Sequence, residues 1–163
     1  PHVIAFANDK GAFIAHLDGD KLAQKVRLNR KYRESMGRSD RTKMEGSSIE
    51  SYAMKPSKFL MPLVDNYREF LAPFKFLNPN GGPYGFADVA EGKIDCYFAP
   101  RQPFVDIFSG IHIARQAECI VTDFDGKEVK FTPDEETLWD VVATTNRKLH
   151  DQVLTALAKC KKK

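Results

Sequence analysis

The stretch RQPFVDIFSGIHIARQAECIVTDFDG, residues 101–126, constrains the fold more than any other part of the chain. Val105, Phe108, Ile111 and then Ala114 or Arg115 recur at helical spacing, which predicts a helix over 104–117. The apolar run at 119–122 follows at once and closes in Asp-Phe-Asp-Gly, the mark of a strand that ends in a turn. A helix that feeds directly into a strand calls for a sheet with helices on its faces.

The flanking sequence continues this alternation. HVIAFA at 2–7 and GAFIAHL at 11–17 read as two strands separated by Asn8, Asp9 and Gly11, with Leu22, Val26 and Leu28 continuing that sheet. Residues 33–51 are polar and rich in Ser, Gly and Arg, and no regular element is predicted there. Pro56 opens a helix running to 71, with Phe59, Leu60, Leu63, Val64, Tyr67 and Leu71 at helical spacing, and Pro62 kinks it or delays its start. FKFL at 74–77 fits a strand, NPNGGPYG at 78–85 a loop, 86–91 a short helix and 94–98 a strand. Residues 129–131 flank the DFDG turn opposite 119–122 as a hairpin or sheet edge, and 138–143 supply another strand. Asn146 caps a last helix through 158, whose core stripe is Leu149, Val153, Leu154 and Leu157. The expected fold is α/β: a layered α-β-α domain with a mixed sheet, built as one domain over 1–163.

Composition narrows the partners. The formal charge is only +3, part of it from Lys159, Lys161, Lys162 and Lys163. The denser basic stretch Lys25, Arg27, Arg30, Lys31, Arg33, Arg38, Arg41 and Lys43 reads as a solvated loop, or as a surface for phosphates or an acidic partner. Only Tyr32 interleaves it, so nucleic acid is not an expected partner. Cys96, Cys119 and Cys160 form no CxxC pair, and the first two read as buried small hydrophobes. That usage points to a reducing compartment, the cytoplasm or an organelle matrix. His2, His16, His112 and His150 show no HxxxH or HExxH spacing, which argues against zinc. No run of about 18 apolar residues occurs, so a membrane is not an expected partner either. The chain begins at Pro1 without a signal-peptide pattern, and we expect processing or a piece of a longer protein.

Three aspartates frame the opening stretch: Asp106, Asp123 and Asp125. A calcium loop of the EF-hand type needs its glycine at the sixth position, whereas Gly126 stands fourth from Asp123. CIVTDFDG resembles the nucleophile motif of haloacid-dehalogenase-type phosphatases, in which the first aspartate attacks phosphorus. Lys127 takes the place of that family's small hydroxyl residue, and little chain remains downstream for its other motifs.

A third resemblance uses far more of the sequence. Val89-Ala90-Glu91-Gly92 with Asp95 is followed by Val105-Asp106-Ile107-Phe108-Ser109-Gly110, then by Arg115-Gln116-Ala117-Glu118-Cys119. Val121-Thr122-Asp123-Phe124-Asp125-Gly126 and Ala143-Thr144-Thr145 leading to His150 complete the series. In order and spacing these blocks resemble the C-terminal part of the inositol monophosphatase and fructose-1,6-bisphosphatase superfamily. Upstream, ANDKGAFIAHLDGDKL resembles that family's Gly-x-Gly-Ala-Phe hairpin, and 30–80 match least.

The resemblance implies a Mg²⁺-dependent phosphomonoesterase acting on a sugar or inositol phosphate, where metal ions neutralise the phosphate and activate water. It makes Asp106 the metal ligand, Arg101 a phosphate contact, and Gly81 and Gly82 substrate contacts. From the local sequence alone, Asp106 reads as a helix N-terminal cap, Arg101 as a solvated loop charge, and the two glycines as turn residues. Asp123 and Asp125 fall in a turn away from the chemistry. The family's upstream Glu and its Asp-Pro-x-Asp-Gly-Thr block have no counterpart here, and Ala99 replaces its acid after the Asp95 strand. One carboxylate does not hold Mg²⁺ against its hydration. The expected partner is therefore an N-terminal half or another protein chain. The alternative is an inactive phosphatase-like subunit with a structural or binding role in a larger assembly.

Overall fold

The computed structural model describes residues 2–19, 21–37, 41–131 and 136–160. The chain opens with β1 (His2–Asn8), β2 (Gly11–Asp18), β3 (Lys21–Leu28) and α1 (Arg30–Ser35). It continues through β4 (Ser48–Ser51), α2 (Leu60–Leu71), β5 (Phe76–Pro79), α3 (Pro83–Glu91) and β6 (Cys96–Pro103). It ends with α4 (Phe104–Gln116), β7 (Ile120–Asp123), β8 (Leu138–Thr144) and α5 (Arg147–Cys160). The first three strands form an antiparallel sheet in the order β1-β2-β3, and the other five a second sheet in the order β5-β4-β6-β8-β7. In the second sheet β4 lies parallel to β5 and β6, while β8 runs antiparallel to β6 and β7. It is the expected mixed sheet.

Successive side chains of a strand point to opposite faces, and β6 shows what that does here. Cys96 and Phe98 join one core with Leu63 and Phe70 of α2 and Leu149, Val153 and Leu157 of α5. Tyr97 and Ala99 join another with Phe86 and Val89 of α3 and Ile107 and Ile111 of α4. Helices thus cover both faces, the α-β-α layering the sequence predicts. Ala12, Ile14 and Leu28 of the three-stranded sheet pack into the second core as well, so that sheet adds an outer layer over α4.

Several boundaries differ from expectation for identifiable reasons. Residues 33–51, read as irregular, contain the end of α1 and all of β4. α1 is nucleated by Asn29, whose side chain accepts a hydrogen bond from the Tyr32 amide at 2.8 Å. α2 begins at Leu60, which leaves Pro62 in the first turn, where a missing amide costs nothing. The kink falls instead at Tyr67, with φ −129° and ψ 19°. α3 begins at Pro83, and β6 runs on to Pro103. Residues 129–131 form no strand; β7 is the sheet edge and pairs with β8, so the hairpin reading fails. Asn146 does cap α5, accepting from the Leu149 amide at 3.0 Å.

The basic stretch is no single solvated loop, since Arg33 is buried. Arg38, Lys161, Lys162 and Lys163 lie outside the described residues. Cys96 and Cys119 are buried free thiols. No helix of the described residues is long and apolar enough to cross a membrane.

Candidate functional site

The expected site residues come from three segments: the Gly81-Gly82 turn ahead of α3, Arg101 in β6, and Asp106 in the first turn of α4. Gly82 is the residue before the α3 helix and takes φ 59° and ψ −146°, a conformation that glycine adopts at no steric cost. A β-carbon on Gly82 would lie 3.7 Å from the Asp106 carbonyl oxygen. The turn and the start of α4 are therefore neighbours.

Asn80 anchors this turn. Its Oδ1 accepts from the Gly81 amide at 2.9 Å, and its Nδ2 donates to Glu50 Oε2 and Asp88 Oδ2, each at 3.0 Å. Lys93 Nζ lies 3.3 Å from Asp88 and 2.9 Å from Glu91. Glu50 is buried, and burial is the first reason its carboxyl is pushed up to about 7. The Asp88 charge and a hydrogen bond with Asp88 add to the rise, while Asn80 and Lys93 oppose it.

Arg101 sits in a β-bulge. Ala99 faces Val141 and Gln102 faces Trp139, so Pro100 and Arg101 together oppose Asp140. Arg101 has φ 52°, and its amide donates to Asp140 Oδ1 at 2.9 Å. The bulge turns the Arg101 side chain into a cavity of about 320 Å³ that Tyr52, Phe59 and Tyr67 also line.

Asp106 is half-buried. The residue flanking α4 is Pro103, and no side-chain cap hydrogen bond forms there. Pro103 has no amide for Asp106 to accept from, so the cap reading of Asp106 does not hold. Its charge still gains from the helix N-terminus. Tyr97 lies behind the turn; burial pushes its hydroxyl up, and the Glu50 and Asp106 charges add to that. The DFDG turn is accounted for by local bonding, because Asp123 Oδ1 accepts from the amides of Asp125 at 2.9 Å and Lys127 at 2.8 Å.

Among the described residues no group of three or more His, Cys, Asp and Glu is placed to hold a metal ion. Asp106 alone does not meet the coordination that Mg²⁺ requires. The sequence reading missed Glu50, Asn80 and Asp88. Glu50 lay in a stretch with no apolar period, and Asn80 read as one more turn residue.

This architecture is first of all an α/β one: helices on both faces of a mixed sheet, with a small antiparallel sheet packed outside. More particularly, the chain has the inositol monophosphatase fold, over the C-terminal portion of it. An inositol monophosphatase from Anabaena (Nostoc) sp. PCC 7120 superposes with TM-score 0.63 at 18% identity, covering 91% of this chain and 56% of that one. SuhB of Mycobacterium tuberculosis gives TM-score 0.64 at 16% identity, covering 92% and 51%. SaIMPase-II, solved with inositol monophosphate bound, gives TM-score 0.64 at 15% identity, covering 93% and 55%. The chain spans about half the length of these solved structures, and at such identities the likeness is one of fold. No protein-family sequence model and no curated protein matches it.

Proposed function

We propose that the chain is the C-terminal half of an inositol-monophosphatase-like, Mg²⁺-dependent phosphomonoesterase acting on a sugar or inositol phosphate. The observation that carries this reading is the pairing of the Gly81-Gly82 turn with Asp106. Gly82 rests against the Asp106 carbonyl, and the Asp106 carboxylate makes no hydrogen bond or ion pair with the described residues. In this reading Asp106 contributes one metal ligand, and Arg101 and the two glycines contact the substrate. The remaining ligands come from an N-terminal half or a second chain, because the described residues alone do not fit Mg²⁺. No catalytic step is assigned to its residues. Inositol monophosphate bound to SaIMPase-II supports the substrate class.

A second reading, an inactive phosphatase-like subunit in a larger assembly, draws on Ala99. It is a fully buried alanine where the resemblance expects an acid.

Two measurements separate the readings: the intact mass of the native protein, and Mg²⁺-dependent phosphate release from inositol phosphate and fructose bisphosphate. Release by a longer native chain, abolished by Asp106→Asn, supports the phosphatase. A native chain of this length that releases no phosphate, alone or with its natural partners, sinks it.

A further inference from the structure

We propose that the cavity between β4, the start of α2 and the β6 bulge binds an aryl phosphate: a phosphate carried on a flat apolar ring. This deepens the phosphomonoester reading and rests on it for the anion; the ring is argued from the cavity itself.

At about 320 Å³ the cavity is the size of a small-ligand site, for which about 300–1,000 Å³ is usual. Its walls are aromatic and already fixed. Tyr52 and Phe59 meet edge to face with centroids 4.6 Å apart, and Tyr67 stands edge-on to the core ring of Phe98 at 4.8 Å. Leu63 is buried beneath them. A planar ring gains dispersion and quadrupole contacts against such walls without reorganising them.

Two cations line the same cavity, Lys58 and Arg101, and no carboxylate does. Lys58 Nζ lies 5.1 Å from the Phe59 ring centroid, and neither cation pairs with a carboxylate among the described residues. Asp140, on the flank, is already engaged by the Arg101 amide. An anion entering here meets two positive charges, against which the Asp140 carboxylate on the flank is the opposing charge.

The same walls disfavour a polyol. Each hydroxyl that leaves water needs a replacement hydrogen bond. Beside the two cations, Asn66 and the two tyrosines are the lining residues left to supply such bonds, since the Gln102 side-chain amide is already committed to the Pro100 carbonyl at 3.0 Å.

The test is calorimetric titration of the full chain in chelator with phenyl phosphate, inorganic phosphate and inositol phosphate. Phenyl phosphate is expected to bind about tenfold tighter than the other two, equivalent to 1.4 kcal/mol. Lys58→Ala, at an exposed position that leaves folding intact, weakens both phenyl phosphate and inorganic phosphate several-fold. Phe59→Leu weakens phenyl phosphate alone. Equal affinity for phenyl phosphate and inositol phosphate, no saturable phenyl phosphate binding by the folded chain, or no effect of Lys58→Ala overturns the proposal. Because chelator removes Mg²⁺, failure here leaves metal-dependent phosphate release standing, and failure of phosphate release leaves this titration standing.

Discussion

Gly81 and Tyr52 occupy the same space to within one methyl group. A β-carbon on Gly81 would lie 2.8 Å from Tyr52 Cε2 and nearer still to Cδ2. Tyr52 is held in place by Phe59, so the ring cannot swing away freely. Gly81→Ala is therefore expected to cost about 1–3 kcal/mol through overpacking. At about 2–4 °C per kcal/mol for a chain of this size, the loss is readable in a thermal melt. The steric origin is tested by a double-mutant cycle: on a Tyr52→Ala background Gly81→Ala should cost little. Additive losses would refute the coupling.

Arg33 makes a comparable bridge with charge. Its Nη1 donates to the Ala117 carbonyl at 2.8 Å and the Ala90 carbonyl at 3.3 Å, and its Nη2 to the Thr145 carbonyl at 3.4 Å. Ala90 and Ala117 lie at the C-terminal ends of α3 and α4, where carbonyls lack helical partners and carry the negative end of the dipole. One guanidinium thus ties α1 to both helices and to the strand end before α5. Arg33→Met leaves these buried carbonyls unpaired and is expected to cost about 3–5 kcal/mol in urea unfolding. Arg33→Lys recovers little, because an ammonium lacks the planar fork that spans separate acceptors. A loss below about 1 kcal/mol for Arg33→Met would show that the bonds contribute nothing net.

These two residues also mark where sequence reading stopped. The stripe of α5 and the apolar run of β6 were legible because each buries hydrophobic side chains at a fixed period. The α4 helix was placed, but its buried face was misread: Val105 and Phe108 are exposed, and Ile107, Ile111 and Ala114 face the core. α1 and β4 were not legible, because apart from Ile49 what they bury is polar. Arg33, Glu50 and Ser51 are buried, and the partners of the first two, such as Ala117 and Asn80, lie far along the chain. Periodicity carries no trace of such pairings. The converse error occurred at 129–131, where Val129 is buried and Phe131 packs on Phe104 and Trp139 without any strand pairing. Asp106, Gly81 and Gly82 stood out by motif. The Asn80 anchor and the aromatic cavity did not, since both arise only when β4, α2 and the turn before α3 come together.

Glu50 gives a pH dependence with a definite sign. Its carboxyl is raised from 4.5 to about 7, with burial as the main cause, and Asn80, Asp88, Lys93 and Tyr97 face it. Between those values the folded chain keeps a proton that the unfolded chain releases. The contribution is full below about pH 4.5 and is lost as pH rises through about 7. Gln mimics the protonated acid, since its amide donates to Asp88 while its oxygen accepts from Asn80. Glu50→Gln should gain about 1–3 kcal/mol at pH 8 and little at pH 4.5. The check is denaturant unfolding at both values, and an unchanged difference between them would remove Glu50 as the cause.

His150 acts in the opposite direction over much of the same range. It is fully buried in α5, with Thr122 Oγ1 2.8 Å from Nε2 and Thr144 Oγ1 3.0 Å from Nδ1. Burial first, then the Arg147 charge, lowers its pKa from 6.5 to about 4, with Asp151 opposing. The unfolded chain therefore binds a proton that the folded chain refuses. This contribution is present above about pH 6.5 and is lost as pH falls toward about 4. In the wild-type chain the His150 loss on acidification is partly offset by the Glu50 gain, so the net profile is shallow. Glu50→Gln should unmask the His150 loss as a steeper fall in stability below pH 6.5. His150→Gln should lower stability overall and leave only the decline toward alkaline pH that Glu50 produces. Titration of the imidazole ring protons by NMR gives the direct check: a midpoint near 6.5 in the folded chain, where about 4 is expected, would reject the assignment.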